Sequence, residues 1–202
     1  KVRLGDSGLK VSRIILGTMQ YGEQRWQPWV VGDEAEVIRH IKAAYDVGIQ
    51  TFDTANVYSN GVSDIMLGKA TKELKLPREE IMVMTKHGYV NQHGLSRKHM
   101  FDSVKASLER LRLDCIDVLQ CHRFDKETPI EETVMILPTY PGGYVRYTKK
   151  RGISMAQASV AWMLTKDISC APIVGTTSLK NLEDIIGAVN VTLTPEEMAY
   201  LE

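Results

Sequence analysis

The 202-residue sequence predicts an α/β fold, a parallel sheet wrapped by helices and closed into a (β/α)8 barrel. Three observations lead there. Apolar runs near residues 14, 49, 81, 116 and 172 are continuous rather than alternating, as strands buried on both faces are. Segments with helical spacing and helix caps stand between them, and strand–helix alternation means parallel pairing through crossover helices. No Gly-x-Gly-x-x-Gly follows any strand, which favours a barrel over a doubly wound dinucleotide fold.

The elements follow in order. Asp6-Ser7-Gly8 lies between two short apolar runs, a hairpin signal. Ile14-Ile15-Leu16 is a buried strand stopped by Gly17. Residues 18–32 form a loop holding Trp26 and Trp29, which either cover the core edge or line a pocket. Asp33-Glu-Ala-Glu36 reads as a capping box, and Val37, Ile38, Ile41 and Tyr45 recur at helical spacing up to Gly48. The strand Ile49–Asp53 runs into a polar loop. Ser63 then caps a helix carrying Leu67, Ala70 and Leu74. Ile81–Thr85 is the next strand, with Lys86 at its end. Ser96 caps a helix bearing Met100, Val104, Leu108 and Leu111. Ile116–Cys121 is a further strand, closed by His122. Thr128-Pro129-Ile-Glu131 opens a helix that meets Pro138 too soon for a crossover. Ser154-Met-Ala-Gln157 is a second capping box, opening a helix that runs to about Lys166. Ala171–Gly175 is the last strand, a helix starts near Ser178, and Thr194-Pro-Glu-Glu197 opens a short final one. An eight-stranded barrel takes about 250 residues. The expectation is therefore a single barrel domain over 1–202 that is incomplete. Strands five to seven are missing, with a break near 135–144 and a smaller one near 88–89.

Composition narrows the class. Basic and acidic residues balance at 25 each, so neither nucleic acid nor a membrane surface is expected as a partner. No apolar run approaches the ~20 residues of a membrane-spanning helix, and the first five residues lack a signal-peptide core. Cys115, Cys121 and Cys170 are odd in number and widely spaced, as in a reduced, cytoplasmic chain. The scattered histidines form no His-Glu-x-x-His motif, and no metal is expected.

Asp53, Lys86 and His122 all fall at C-terminal ends of parallel strands, and Tyr58 lies five residues past Asp53. In a barrel those ends converge on one mouth. Each residue has a plainer alternative as a turn cap, an exposed cation, a packed ring or a satisfied histidine. Together they suit one chemistry. A cationic lysine beside a phenol lowers its pKa, and an aspartate holds the lysine charged. A neutral histidine orients a carbonyl oxygen. That set suits proton donation to a carbonyl gaining a hydride.

The residues that carry this chemistry resemble the aldo-keto reductases. The matching stretches are Leu16-Gly17-Thr18-Met19, Phe52-Asp53-Thr-Ala-Asn-Val-Tyr58 with Gly61 and Ser63, Met84-Thr-Lys86, Asp117-Val-Leu-Gln-Cys-His122, and Pro172-Ile-Val-Gly175 through Glu183. The flanks Gly94-Leu-Ser-Arg-Lys-His99 and His122-Arg-Phe-Asp125 are most similar to the fungal branch of aryl-alcohol-dehydrogenase-like reductases. The resemblance implies a catalytic tetrad of Asp53, Tyr58, Lys86 and His122. It implies NADPH bound without a Rossmann motif, hydride transfer to an aldehyde or ketone, and proton donation by Tyr58. Cofactor contacts are implied at Gly17, Thr18, Met19, Asp53, Gly175, Thr176, Thr177, Ser178, Lys180, Asn181 and Asp184. Asn181 and Ile185 depart from the basic or Gln and the Asn usual there. Trp26, Trp29 and His122 are the implied substrate contacts, for a hydrophobic or aryl aldehyde, in a monomer or weak homo-oligomer. The family's carboxamide-binding Ser-Asn pair, its Gln and its stacking aromatic are not found. Two alternatives remain on the same fold, a cofactor-holding regulatory subunit and an inactive truncated isoform.

Overall fold

The computed structural model describes residues 1–5, 7–87, 94–123, 125–126, 153–166 and 171–201. Strands β1 (Val2–Arg3) and β2 (Lys10–Val11) pair antiparallel as the expected hairpin. Among the described residues five parallel strands form the main sheet: β3 (Ile15–Gly17), β4 (Thr51–Asp53), β5 (Met82–His87), β6 (Val118–Cys121) and β7 (Ile173–Val174). Their spatial order is β6-β5-β4-β3-β7. The first sheet strand thus lies between the second and the last, as it does where a barrel closes on itself. The expected helix at Pro129 and both expected breaks lie outside the described residues. Among the described residues no helix is long and apolar enough to cross a membrane.

Alternation along each strand sorts the core into two parts. Leu16, Phe52, Val83 and Val174 point outward and pack against the helices. Those helices are α1 (Glu34–Asp46), α2 (Val62–Glu73), α3 (Arg97–Leu111), α4 (Met155–Met163) and α5 (Leu179–Ile186), with α6 (Pro195–Leu201) at the end. Ile15, Met84 and Val118 point inward and meet Val11 of the hairpin, which plugs the barrel floor. The upper inner face is left for polar groups.

The cap signals mostly hold. Ser96 Oγ accepts from His99 N, and Ser154 and Gln157 complete their reciprocal box. Thr194 and Glu197 do the same. Asp33 caps α1 through Ala35 N, whereas Glu36 lies 3.8 Å from His40. Ser63 is not a cap. Gly61 occupies that position, and Ser63 sits inside α2 with its hydroxyl donating to the Thr18 carbonyl at 2.7 Å. A short 3-10 turn, Tyr58–Gly61, supplies the helix entrance instead.

Two consequences are measurable. A Cβ at Gly68 would lie 2.5 Å from the Leu111 carbonyl oxygen and 2.7 Å from that of Arg110, both backbone atoms. Gly68→Ala should gain helix propensity yet lose about 1–3 kcal/mol to overpacking of α2 on α3. A urea midpoint that stays put or rises would refute the contact. His87 is fully buried, with neither ring nitrogen hydrogen-bonded among the described residues. Burial, with Arg110 and then His99 adding to it, pulls its pKa down to about 4. Unfolded, it titrates near ~6.5. Between those values the unfolded chain holds a proton the folded chain refuses. Stability is therefore full above ~6.5 and falls toward about 4, by roughly 3 kcal/mol in all. His87→Leu should flatten that limb of the curve in urea titrations at successive pH values.

Candidate active site

The register places Asp53 opposite Met84, and Met84 faces the barrel interior. Two residues on, Lys86 faces the same way. β5 runs past its expected end, so Lys86 lies within the strand rather than after it. The Lys86 ammonium has three N–H groups and meets three acceptors. These are Asp53 Oδ2 at 2.5 Å, the Thr54 carbonyl at 3.1 Å and Tyr58 Oη at 3.3 Å. Tyr58 reaches it from the turn Tyr58–Gly61, where Ser59 and Asn60 adopt left-handed φ values of 47° and 53°. His122 follows β6 and sets its ring edge-on to Tyr58, centroids 6.0 Å apart. Asp53, Tyr58, Lys86 and His122 therefore meet in one place.

Burial governs the electrostatics. It pushes the Tyr58 phenol up; Lys86 pulls it back and Asp53 pushes it further, and the net direction is upward. The expected lowering by Lys86 is present but outweighed, because the phenol is 9% exposed and phenolate loses more hydration than one lysine returns. Burial likewise raises Asp53 against the pull of Lys86. Burial, with Lys86 and Arg123 adding to it, lowers His122 and keeps its imidazole neutral at pH 7.

A cavity of about 470 Å³ opens beside this group. Asp53 and Tyr58 line it, with Gly17, Thr18, Met19 and Trp29 on one side and Ile173, Gly175, Thr176 and Thr177 on the other. Trp26 is not in the lining; it braces Trp29 edge-on at 6.1 Å. Ser178 caps α5 through Asn181 N, and Lys180 and Asn181 are exposed on the first turn. Asp184 instead accepts a hydrogen bond from Ser154 Oγ and ties α5 to α4. Sequence reasoning missed Gln20, a buried lining residue whose amide donates to the Gly17 carbonyl at 2.7 Å. Its only signal was its place directly after Met19. Among the described residues no cluster of three or more side chains could hold a metal ion.

Comparison with known proteins bears on the family of the chain. The Aldo/keto reductase family model matches residues 13–147 and 141–202. An aldo-keto reductase of Metarhizium robertsii is 44% identical over 174 residues, covering 72% of this chain and 47% of its own. An inferred aryl-alcohol dehydrogenase of Schizosaccharomyces pombe is 43% identical over 172 residues, covering 71% of this chain and 49% of its own. The chain thus spans about half the length of the curated relatives it matches. A holo-form aldo-keto reductase from Bacillus halodurans superposes with a TM-score of 0.78 at 21% identity, over 100% of this chain and 95% of that one, and so shares the fold. With its barrel arc, its part-buried lysine and these matches taken together, the chain belongs to the Aldo/keto reductase family.

Proposed function

We propose that this chain reduces aldehydes or ketones with NADPH, Tyr58 giving the proton to the carbonyl oxygen. The observation that carries this reading is the saturated Lys86 ammonium. Tyr58 Oη accepts from Lys86 in that contact, so the phenol proton is left for another acceptor. The raised phenol pKa keeps that proton in place at neutral pH. Once it leaves, the phenolate has a cation 3.3 Å away. Neutral His122, edge-on to Tyr58, is placed to orient the carbonyl.

NADPH, when bound, supplies the hydride. The lining fits it. Asp53 Oδ1 is buried at the cavity with no hydrogen-bond partner among the described residues, which suits a ligand hydroxyl. Gly17, Thr18, Met19 and Asp53 would hold one part. Gly175, Thr176, Thr177 and Ser178 would hold another at the α5 N-terminus, with Lys180 and Asn181 beside a phosphate. Met19 and Trp29, 44% and 46% exposed at the cavity, favour a hydrophobic or aryl carbonyl. A second reading, a chain that holds cofactor without turnover, is favoured by the five-stranded described sheet and the half-length match. NADPH binding by fluorescence, with no oxidation across an aldehyde panel, would support it.

Tyr58→Phe should lower kcat by about 10²–10⁴-fold while leaving NADPH affinity unchanged. Near-native turnover in that variant would sink the proton-donor role. Lys86→Met removes the downward pull on the phenol, so the phenol should titrate still higher and the pH profile of kcat should move with it. Lys180→Glu should weaken NADPH by about 1–3 kcal/mol more than NADH. Equal losses in fluorescence titration would place the extra phosphate elsewhere.

A further inference from the structure

Behind the tetrad lies a second charge pair, a buried aspartate with a part-buried arginine, that the chemistry above does not use. Asp64 is the third residue of α2, and its side chain has no exposed surface. Its Oδ1 accepts from Thr54 Oγ1 at 2.7 Å. Its Oδ2 accepts from Arg110 Nε at 3.1 Å, Arg110 Nη2 at 3.0 Å and Ser107 Oγ at 3.2 Å. Arg110 Nη2 also donates to Ser107 Oγ at 2.8 Å. One carboxylate on α2 thus gathers donors from α3 and from the residue after β4. None of Asp64, Ser107 or Arg110 lines the cavity.

Two contacts lead from this knot to the reacting group. Thr54 is fully buried and carries the carbonyl that accepts from Lys86 Nζ. Its hydroxyl, spent on Asp64, fixes the rotation of that residue. Arg110 lies under the turn that bears Tyr58, where a Cβ on Gly61 would come within 2.9 Å of both Arg110 Cδ and Nε. Gly61 also holds φ at +93°, so only glycine serves there without strain. The lysine and the phenol therefore rest on the same ion pair, one through Thr54 and one through Gly61.

We infer that Asp64 and Arg110, acting through Thr54 and Gly61, are positioning residues that set the Lys86–Tyr58 contact. Stability alone does not call for such a pair. Apolar residues of similar volume often replace a buried ion pair at no cost, while a fully bonded pair holds one geometry. Asp53 pairs with the lysine's charge, and the Asp64 knot governs where that charge points. The inference rests on the reductase reading only for its kinetic consequence, since the geometry itself can be probed without turnover.

The test uses the full chain and near-isosteric variants. Thr54→Val removes the hydroxyl alone. It should lower kcat by about 10- to 100-fold, the scale of a misplaced reacting group, with KM and NADPH affinity little changed. Thr54→Ser restores a hydroxyl and should restore kcat. Asp64→Leu should give a similar loss, and the double variant should be no worse than the poorer single, since both act through one contact. Reductive methylation of Lys86, followed by mass spectrometry, reads the same contact without catalysis. Lys86 should react faster in Thr54→Val and Asp64→Leu than in the native chain or Thr54→Ser. Multiplying losses, or a folded Thr54→Val with native kcat and native Lys86 reactivity, would overturn the inference. If Tyr58→Phe keeps native turnover, the reductase reading fails instead, and Lys86 labelling still decides this one.

Discussion

A lysine ammonium drawn out of water must find an acceptor for each of its three N–H groups, and the site is arranged around that requirement. Lys86 finds them at Asp53, Thr54 and Tyr58, which come from one strand end and the loop after it. The stretch from Asp53 to Tyr58 therefore cannot move freely relative to β5. The same requirement fixes the direction of the Tyr58 contact. With lysine as donor the phenol oxygen accepts, and its own hydrogen is left over. Proton availability follows from counting donors and acceptors before any pKa is considered, and the upward push of burial then keeps that proton bound near neutrality.

That arrangement needs a rigid frame, and the barrel supplies it by separating two kinds of inward surface. Low on the strands, Ile15, Met84 and Val118 close against the hairpin and exclude water. Asp53, opposite Met84 in the register, and Lys86, two residues further along β5, put polar groups on the same inner face. The apolar floor lowers the local dielectric and strengthens the pair above it. The pairing of β3 with β7 then brings Gly17 and Gly175, from opposite ends of the sequence, to the two sides of one cavity.

What could be read from the sequence was local. Strand ends at Asp53 and His122, caps at Ser96, Ser154 and Thr194, and the hairpin all rest on neighbours within a few residues, and they stand as expected. What could not be read depends on distant partners. Ser63 has the composition of a cap, but the left-handed turn ahead of it moves the cap to Gly61 and turns its hydroxyl to Thr18, 45 residues away. Asp64 and Arg110 are 46 residues apart, and each would pass for an ordinary helix-surface charge. The sign of the Tyr58 shift failed for a related reason. Proximity to lysine was visible in the spacing, while the depth of burial that outweighs it belongs to the folded core.

The turn at Ser59 and Asn60 shows how the parts depend on one another. Two non-glycine residues in the left-handed region cost roughly 1–3 kcal/mol each, so the surrounding contacts must hold them there. Ser59 is buried, and its hydroxyl accepts from Glu23 N at 3.1 Å. Gly22 lies so close that a Cβ there would sit 2.0 Å from that hydroxyl. The loop that carries Met19 and Trp29 is thereby fastened to the turn that carries Tyr58. Arg110 supports the same turn from the opposite side. The phenol is thus set by the cavity-wall loop above and the part-buried ion pair below. A change in either should reach the Tyr58 hydroxyl through contacts already in place, without any rearrangement of the sheet.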